Sequence, residues 1–167
     1  MRVKMYPEFA TRFTSQEHLY NYLYGGAGIV TLDSPSGESH TYSYEKPQNS
    51  AQFPEDTRFV YAIHTGINDN GEIFHTKYYV GMIENDQFRC TRSSRFREHT
   101  PIVKGAFYIE KLRKSQAKLD SSPMKIYHQG VCGLCGSKIW STKSRECGFG
   151  RNCRKHVTLP DFGYPHV

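Results

Sequence analysis

The chain has 167 residues, enough for one ordinary domain or one domain with a small appendage, and too few for a large multidomain enzyme. Aromatic residues make up 14% of it, which supplies a packed core and excludes a disordered chain of low hydrophobicity. Lys and Arg outnumber Asp and Glu by 22 to 16, and the excess is lopsided. Residues 1–86 hold 6 Lys and Arg against 11 Asp and Glu, a charge of −5, whereas residues 87–167 hold 16 against 5, a charge of +11. No stretch approaches the ~20 apolar residues of a membrane span, and Met1–Pro7 leads into no apolar signal core, so the expectation is a soluble, cytoplasmic protein.

In chain order, the first expected helix starts at Thr14 or Ser15, whose hydroxyl can cap free amides, and ends at Tyr24 before Gly25-Gly26. Its apolar positions Leu19, Tyr22 and Leu23 recur at helical spacing. The pattern then turns to β: Ile29–Leu32 and Thr41–Tyr44 flank the turn Ser34-Pro35-Ser36-Gly37, which reads as a hairpin. Arg58–His64 is nearly continuously apolar and reads as a central strand. Asn68-Asp69-Asn70-Gly71 is a turn, because Asn and Gly tolerate positive φ. Two further strands, Thr76–Ile83 and Gln87–Thr91, are joined through Glu84-Asn85-Asp86. A second helix begins at Pro101, with Thr100 before it as a cap, and presents Ile102, Val103, Ala106, Phe107 and Ile109 as its apolar face. Arg113 and its neighbouring lysines are expected away from that face. The predicted fold is α+β, a five-stranded and mainly antiparallel sheet with flanking helices, over residues 1–120. Lys118–Pro123 has the polar, Pro-containing character of a linker, and residues 121–167 are expected to form a small metal-binding module.

Four of the five cysteines, Cys132, Cys135, Cys147 and Cys153, crowd into that module, and Cys90 stands alone. An odd count and a C-x2-C pair without a secretory signal point to metal before disulfides. Cys132 and Cys135, with Gly133 and Gly136 to let the backbone turn, form the knuckle of a zinc half-site. Cys153 is the natural third ligand, and the residues alone leave the fourth open among His128, Cys147 and His156. A closed tetrahedral site has no position for water, so such a Zn2+ is structural, and ~40 residues bury too little apolar surface to fold without one.

The stretch Tyr127–Ile139, with Ser144 and Gly148–Cys153, resembles a zinc module of uncharacterised bacteriophage proteins, with the pattern H-x-G-x-C-G-x-C-G, then a Ser, then G-x-G-x-x-C. Thr31–Ser34, Gly37, Thr41-Tyr42, Phe59-Val60, Tyr79–Gly81 and the helix around Phe107 are similar to the β-rich part that precedes this module in some of them. The resemblance implies a zinc-ribbon or treble-clef-like shape, His128 with the three cysteines as ligands, and location in the cytoplasm of a host cell. This chain departs from the pattern by adding Cys147. The resemblance implies no activity.

Catalysis is not indicated. His64 with Asp69 is a conceivable acid/base pair for a nuclease or other hydrolase, but a strand-end histidine beside a turn is more simply structural. Cys90 lies between Arg89 and Arg92, yet a strand cysteine more often serves as a small hydrophobe. Binding is better supported. Arg89, Arg92, Arg95 and Arg97, with Phe96 interleaved, form a basic loop, and Arg145, Arg151, Arg154 and Lys155, with Trp140 and Phe149, surround the module. Guanidinium groups grip phosphates and rings stack on unpaired bases, so the expected partner is DNA or RNA. The competing expectation is a protein-interaction factor that inhibits or redirects a host enzyme or defence system.

Overall fold

The computed structural model describes residues 3–157. A hydroxyl opens the first helix, α1 (Gln16–Tyr24): Ser15 Oγ accepts from the His18 amide. The expected hairpin follows as β2 (Ala27–Asp33) and β3 (Ser39–Glu45), turned at Gly37, whose φ is +92°. The long strands β4 (Arg58–Ile67) and β5 (Ile73–Glu84) flank the Asn68–Gly71 turn, where Asn68 Oδ1 accepts from the amides of Asn70 and Glu72. Between β5 and β6 (Gln87–Arg89) the two loop residues Asn85 and Asp86 both take positive φ, as a two-residue hairpin demands. Helix α2 (Pro101–Lys114) starts where the sequence predicts, but the Thr100 hydroxyl donates back to the Arg97 carbonyl and does not cap an amide of the helix.

The sheet has seven antiparallel strands, not five. The additional two are β1 (Thr11–Arg12) and β7 (Lys125–His128), and the strand order is β1-β7-β2-β3-β4-β5-β6. Two residues in one case and four in the other are too few to show a period-2 pattern. The expected linker is in large part helical: α3 (Gln116–Ser121) is capped by Ser115 and delivers the chain to β7 beside β2. The segment after residue 121 thus contributes a strand to the sheet before the cysteines begin.

One face of the sheet carries the core. Val30, Leu32, Tyr42, Tyr44, Val60, Val80 and Ile126 are buried under Leu19, Tyr22 and Leu23 of α1 and Val103, Ala106, Ile109 and Leu112 of α2. Cys132, Ile139, Cys147 and Phe149 belong to the same buried cluster. Phe107, expected on the apolar face, is 38% exposed, whereas Arg113, expected outside it, has a side chain 0% exposed. The Arg113 guanidinium is held bidentately by Glu110, at 2.6 and 2.7 Å, donates to Asp86 Oδ1 at 2.8 Å, and faces the rings of Tyr20 and Tyr24. No helix among the described residues is long and apolar enough to cross a membrane.

Candidate metal centre

The knuckle is built by backbone before any side chain is considered. After β7, Gly130 turns the chain at a φ of +75°, Val131 bridges to Lys138, the Cys132 amide donates to Ser137 O, and the Gly136 amide donates to Cys132 O. Helix α4 (Thr142–Cys147), capped by Ser141 and stopped at Gly148, carries the chain back, and the Gly133 amide donates to Gly148 O. A short 3-10 turn, Cys153–His156, then brings in the third thiol. The sulfurs of Cys132, Cys135 and Cys153 all lie within 4.8 Å of one another.

A tetrahedral ion with metal–sulfur bonds of about 2.3 Å places its sulfurs roughly 3.8 Å apart, so three thiolates close on one ion with sub-ångström shifts. The amide of Gly150 points at Cys132 Sγ at 3.3 Å, a donor that stabilises a charged thiolate. Burial, then the Cys132 and Cys135 sulfurs, push the Cys153 thiol up to about 12. Burial also acts to raise the Cys135 thiol, but hydrogen bonds from Ser137, Cys132 and Cys153 bring it below its ordinary value. The donor set can hold a metal ion.

No family model, curated protein or solved structure matches this chain. The remaining roles are therefore read from the geometry.

His128, which the resemblance implies as the fourth ligand, stands outside the three thiols. It is buried, its Nδ1 accepts from the Gly130 amide at 3.1 Å, and its Nε2–H donates to the Arg145 carbonyl. Burial lowers its pKa, so the ring is held neutral. His18 acts alike: its Nε2–H donates to the Cys147 carbonyl, and burial depresses its pKa to about 4. Carbonyls in the last turn of a helix lack helical partners, and here two imidazoles from α1 and β7 supply them. Tyr22 completes the tie, with its hydroxyl donating to Val131 O at 2.8 Å. His18 and Tyr22 have no metal-ligand spacing, and only their place on the buried face of α1 signals them. Cys147 also stays outside the thiol group, its S–H directed at Ser144 O and Phe149 O. His156 is exposed and not among the grouped donors.

The basic residues divide. Arg92, Arg95 and Arg97 are exposed, and the loop bearing them is pinned by the Arg95 amide on Tyr79 O at 2.8 Å and by the Phe96 ring, edge-on to Tyr78 at 6.4 Å. Around the module, Arg151 and Lys155 are exposed, but Arg145 packs over the Phe9 ring and Arg154 donates to Ser144 Oγ at 3.1 Å. Phe149 is buried core, while Trp140 is 64% exposed. The arginine loop follows β6 and is pinned on β5, four steps from β7 along the sheet, so the two groups sit over different strands. Cys90 is not an activated thiol: burial and then Glu98 raise its pKa despite the flanking arginines.

Proposed function

We propose that the protein is a nucleic-acid-binding protein of phage type whose cysteine cluster holds a structural Zn2+, and that it acts by binding and not by turnover. Cys132, Cys135 and Cys153 hold the ion, which supplies a cross-link between the knuckle and the 3-10 turn. The likeness of the His128–Cys153 stretch to phage zinc modules supports both the metal and the origin. The observation that carries the binding reading is the loop of Arg92, Arg95 and Arg97: all three are exposed, none has an ion pair among the described residues, and Phe96 stands between them. Unpaired guanidinium groups at a surface gain by displacing counterions from phosphates.

Fluorescence anisotropy of the zinc-loaded chain on labelled DNA and RNA, between about 50 and 200 mM salt, tests this. The affinity should fall steeply with salt, and replacing Arg95 and Arg97 together by Ala should reduce the slope of log affinity against log salt by about 2. A chain with no salt-dependent affinity for any nucleic acid refutes the reading.

A second reading, a factor that docks on a host enzyme or defence protein, is favoured by one observation. Ile67 and Ile73 face each other across the tip of the β4–β5 hairpin, 71% and 64% exposed. If it holds, a host protein retained by the wild type is released by Ile73→Asp, whose fold is unchanged.

A further inference from the structure

The inner face of the sheet is not roofed along its whole length. Register sets Tyr42, Ala62 and Tyr78 in one row across β3, β4 and β5. The Tyr42 hydroxyl donates to the carbonyl of Ile102 in the first turn of α2, so the helix covers the sheet as far as that row. One step further out on the same face stand His40 on β3 and His64 on β4, and there α2 has not yet begun. The space left is a cavity of about 480 Å3, lined on this side by His40, Ala62, His64, Tyr78, Phe96 and Ile102. That is the size of a small-molecule site.

Its chemistry is specific in two respects. The Tyr78 and Phe96 rings meet at 82°, forming a corner in which a planar heterocycle stacks on one ring and meets the other edge-on. No carboxylate lines the cavity; its rim offers two imidazoles, while the hydroxyls of Ser39, Thr41 and Thr65 lie toward the other face of the sheet, bonded to Asp33, Thr31 and His75. Phe96, which forms the wall, is flanked in the chain by Arg95 and Arg97, both exposed. The acidic residue of that loop, Glu98, lies beside Cys90.

We propose that this cavity takes one nucleoside monophosphate unit, with the base in the Tyr78–Phe96 corner and the phosphate toward Arg95, Arg97 and the two imidazoles. The unit comes either as a free nucleotide or as one residue of a single strand, since a base paired in a duplex cannot enter. The strand form rests on the nucleic-acid reading above; the free-nucleotide form does not.

The test uses the full zinc-loaded chain and three probes: a labelled single-stranded decamer, a duplex of the same sequence, and unlabelled AMP. The expected result is that the decamer binds more tightly than the duplex, that Phe96→Ala weakens it about tenfold while leaving the duplex unchanged, and that AMP displaces it. His64→Ala, an exposed change that spares the core, should weaken it as well, whereas Arg151→Ala, on the other patch, should not. Imidazole NMR of the wild type reports the second source: AMP should shift the His40 and His64 signals and leave the buried His18 and His128 in place. If AMP shifts those signals but no strand binds, the cavity is a site for free nucleotides and only the nucleic-acid reading falls. If strands bind with salt dependence but AMP neither competes nor shifts His40 and His64, and Phe96→Ala is silent, the cavity proposal is overturned and the arginine loop stands alone.

Discussion

Replacing Arg113 by Met removes a guanidinium with four polar contacts, two to Glu110 and two to Asp86. Its Nε and Nη2 hold the Glu110 carboxylate, whose side chain is 9% exposed, while Nη1 and Nη2 reach Asp86 Oδ1 and O at 2.8 and 3.2 Å. Asp86 is 56% exposed and water replaces its partner, so that link contributes at most ~1 kcal/mol. Glu110 has no such recourse. Stripping one member from a buried pair costs about 3–5 kcal/mol, because the remaining charge is left uncompensated in a medium of low polarisability. At roughly 2–4 °C per kcal/mol for a chain of this size, R113M should unfold about 10 °C below the wild type. Urea and thermal unfolding at pH 7, followed by circular dichroism, measure this. The decisive comparison is the double variant Glu110→Gln with Arg113→Met, which removes the stranded charge and should recover about half of the loss. A single variant that loses less than about 1 kcal/mol, or a double variant no more stable than the single, refutes the account of Arg113 as the counterion of a buried carboxylate.

Three further outcomes follow from the site. Gly25→Ala should lower both zinc affinity and Tm, by about 1–3 kcal/mol of unfolding, because the new Cβ would stand 2.2 Å from the Gly133 carbonyl oxygen in the knuckle. Gly37→Ala meets nothing within 4 Å and loses only the ~1 kcal/mol of a positive φ, and equal losses at the two positions would refute the close approach. The neutral, buried His18 should make stability rise with pH: its folded pKa of about 4 lies below the ordinary 6.5, so the unfolded chain binds the extra proton, and about 3 kcal/mol disappears as pH falls from 6.5 to 4. His18→Gln, which can still donate to the Cys147 carbonyl but does not titrate, should flatten that part of the profile, and an unchanged slope counts against it. Cys132→Ser should abolish stoichiometric zinc and lower the unfolding temperature of the whole chain in one transition, since Cys132 sits in the main core; retained zinc with unchanged unfolding would exclude the cluster as the metal site.

What could be read from the sequence was what is decided locally. Asn85-Asp86, Asn68–Gly71 and Ser34–Gly37 carry their own turn chemistry, and Ser15 and Pro101 mark helix starts whatever the rest of the chain does. Cys132, Cys135 and Cys153 were legible because a knuckle needs its two-residue spacing and a partner further on. What escaped is set by distant partners. Strand β1 exists only because Thr11 pairs with His128, 117 positions along the chain. His128 was expected to bind metal, but its environment gives it two backbone partners, an arrangement that depends on where α4 packs. Arg113 did have a local signal, Glu110 one helical turn before it, but such pairs usually lie in solvent, and only the depth of α2 against α1 buries this one.

The place of β7 in the sheet constrains the order in which the chain is finished. Strands β2 to β6 follow one another along the sequence and can zip as successive hairpins while synthesis is still under way. The outer edge of β2 then stays open until Lys125–His128 emerges, with its backbone amides and carbonyls free to pair with another chain. Residues 11 and 12, made well before it, wait for the same segment. Closure of the sheet is therefore a late, long-range step that also delivers the cysteines, and a nascent chain truncated before residue 125 would present the β2 edge as a site for misassembly.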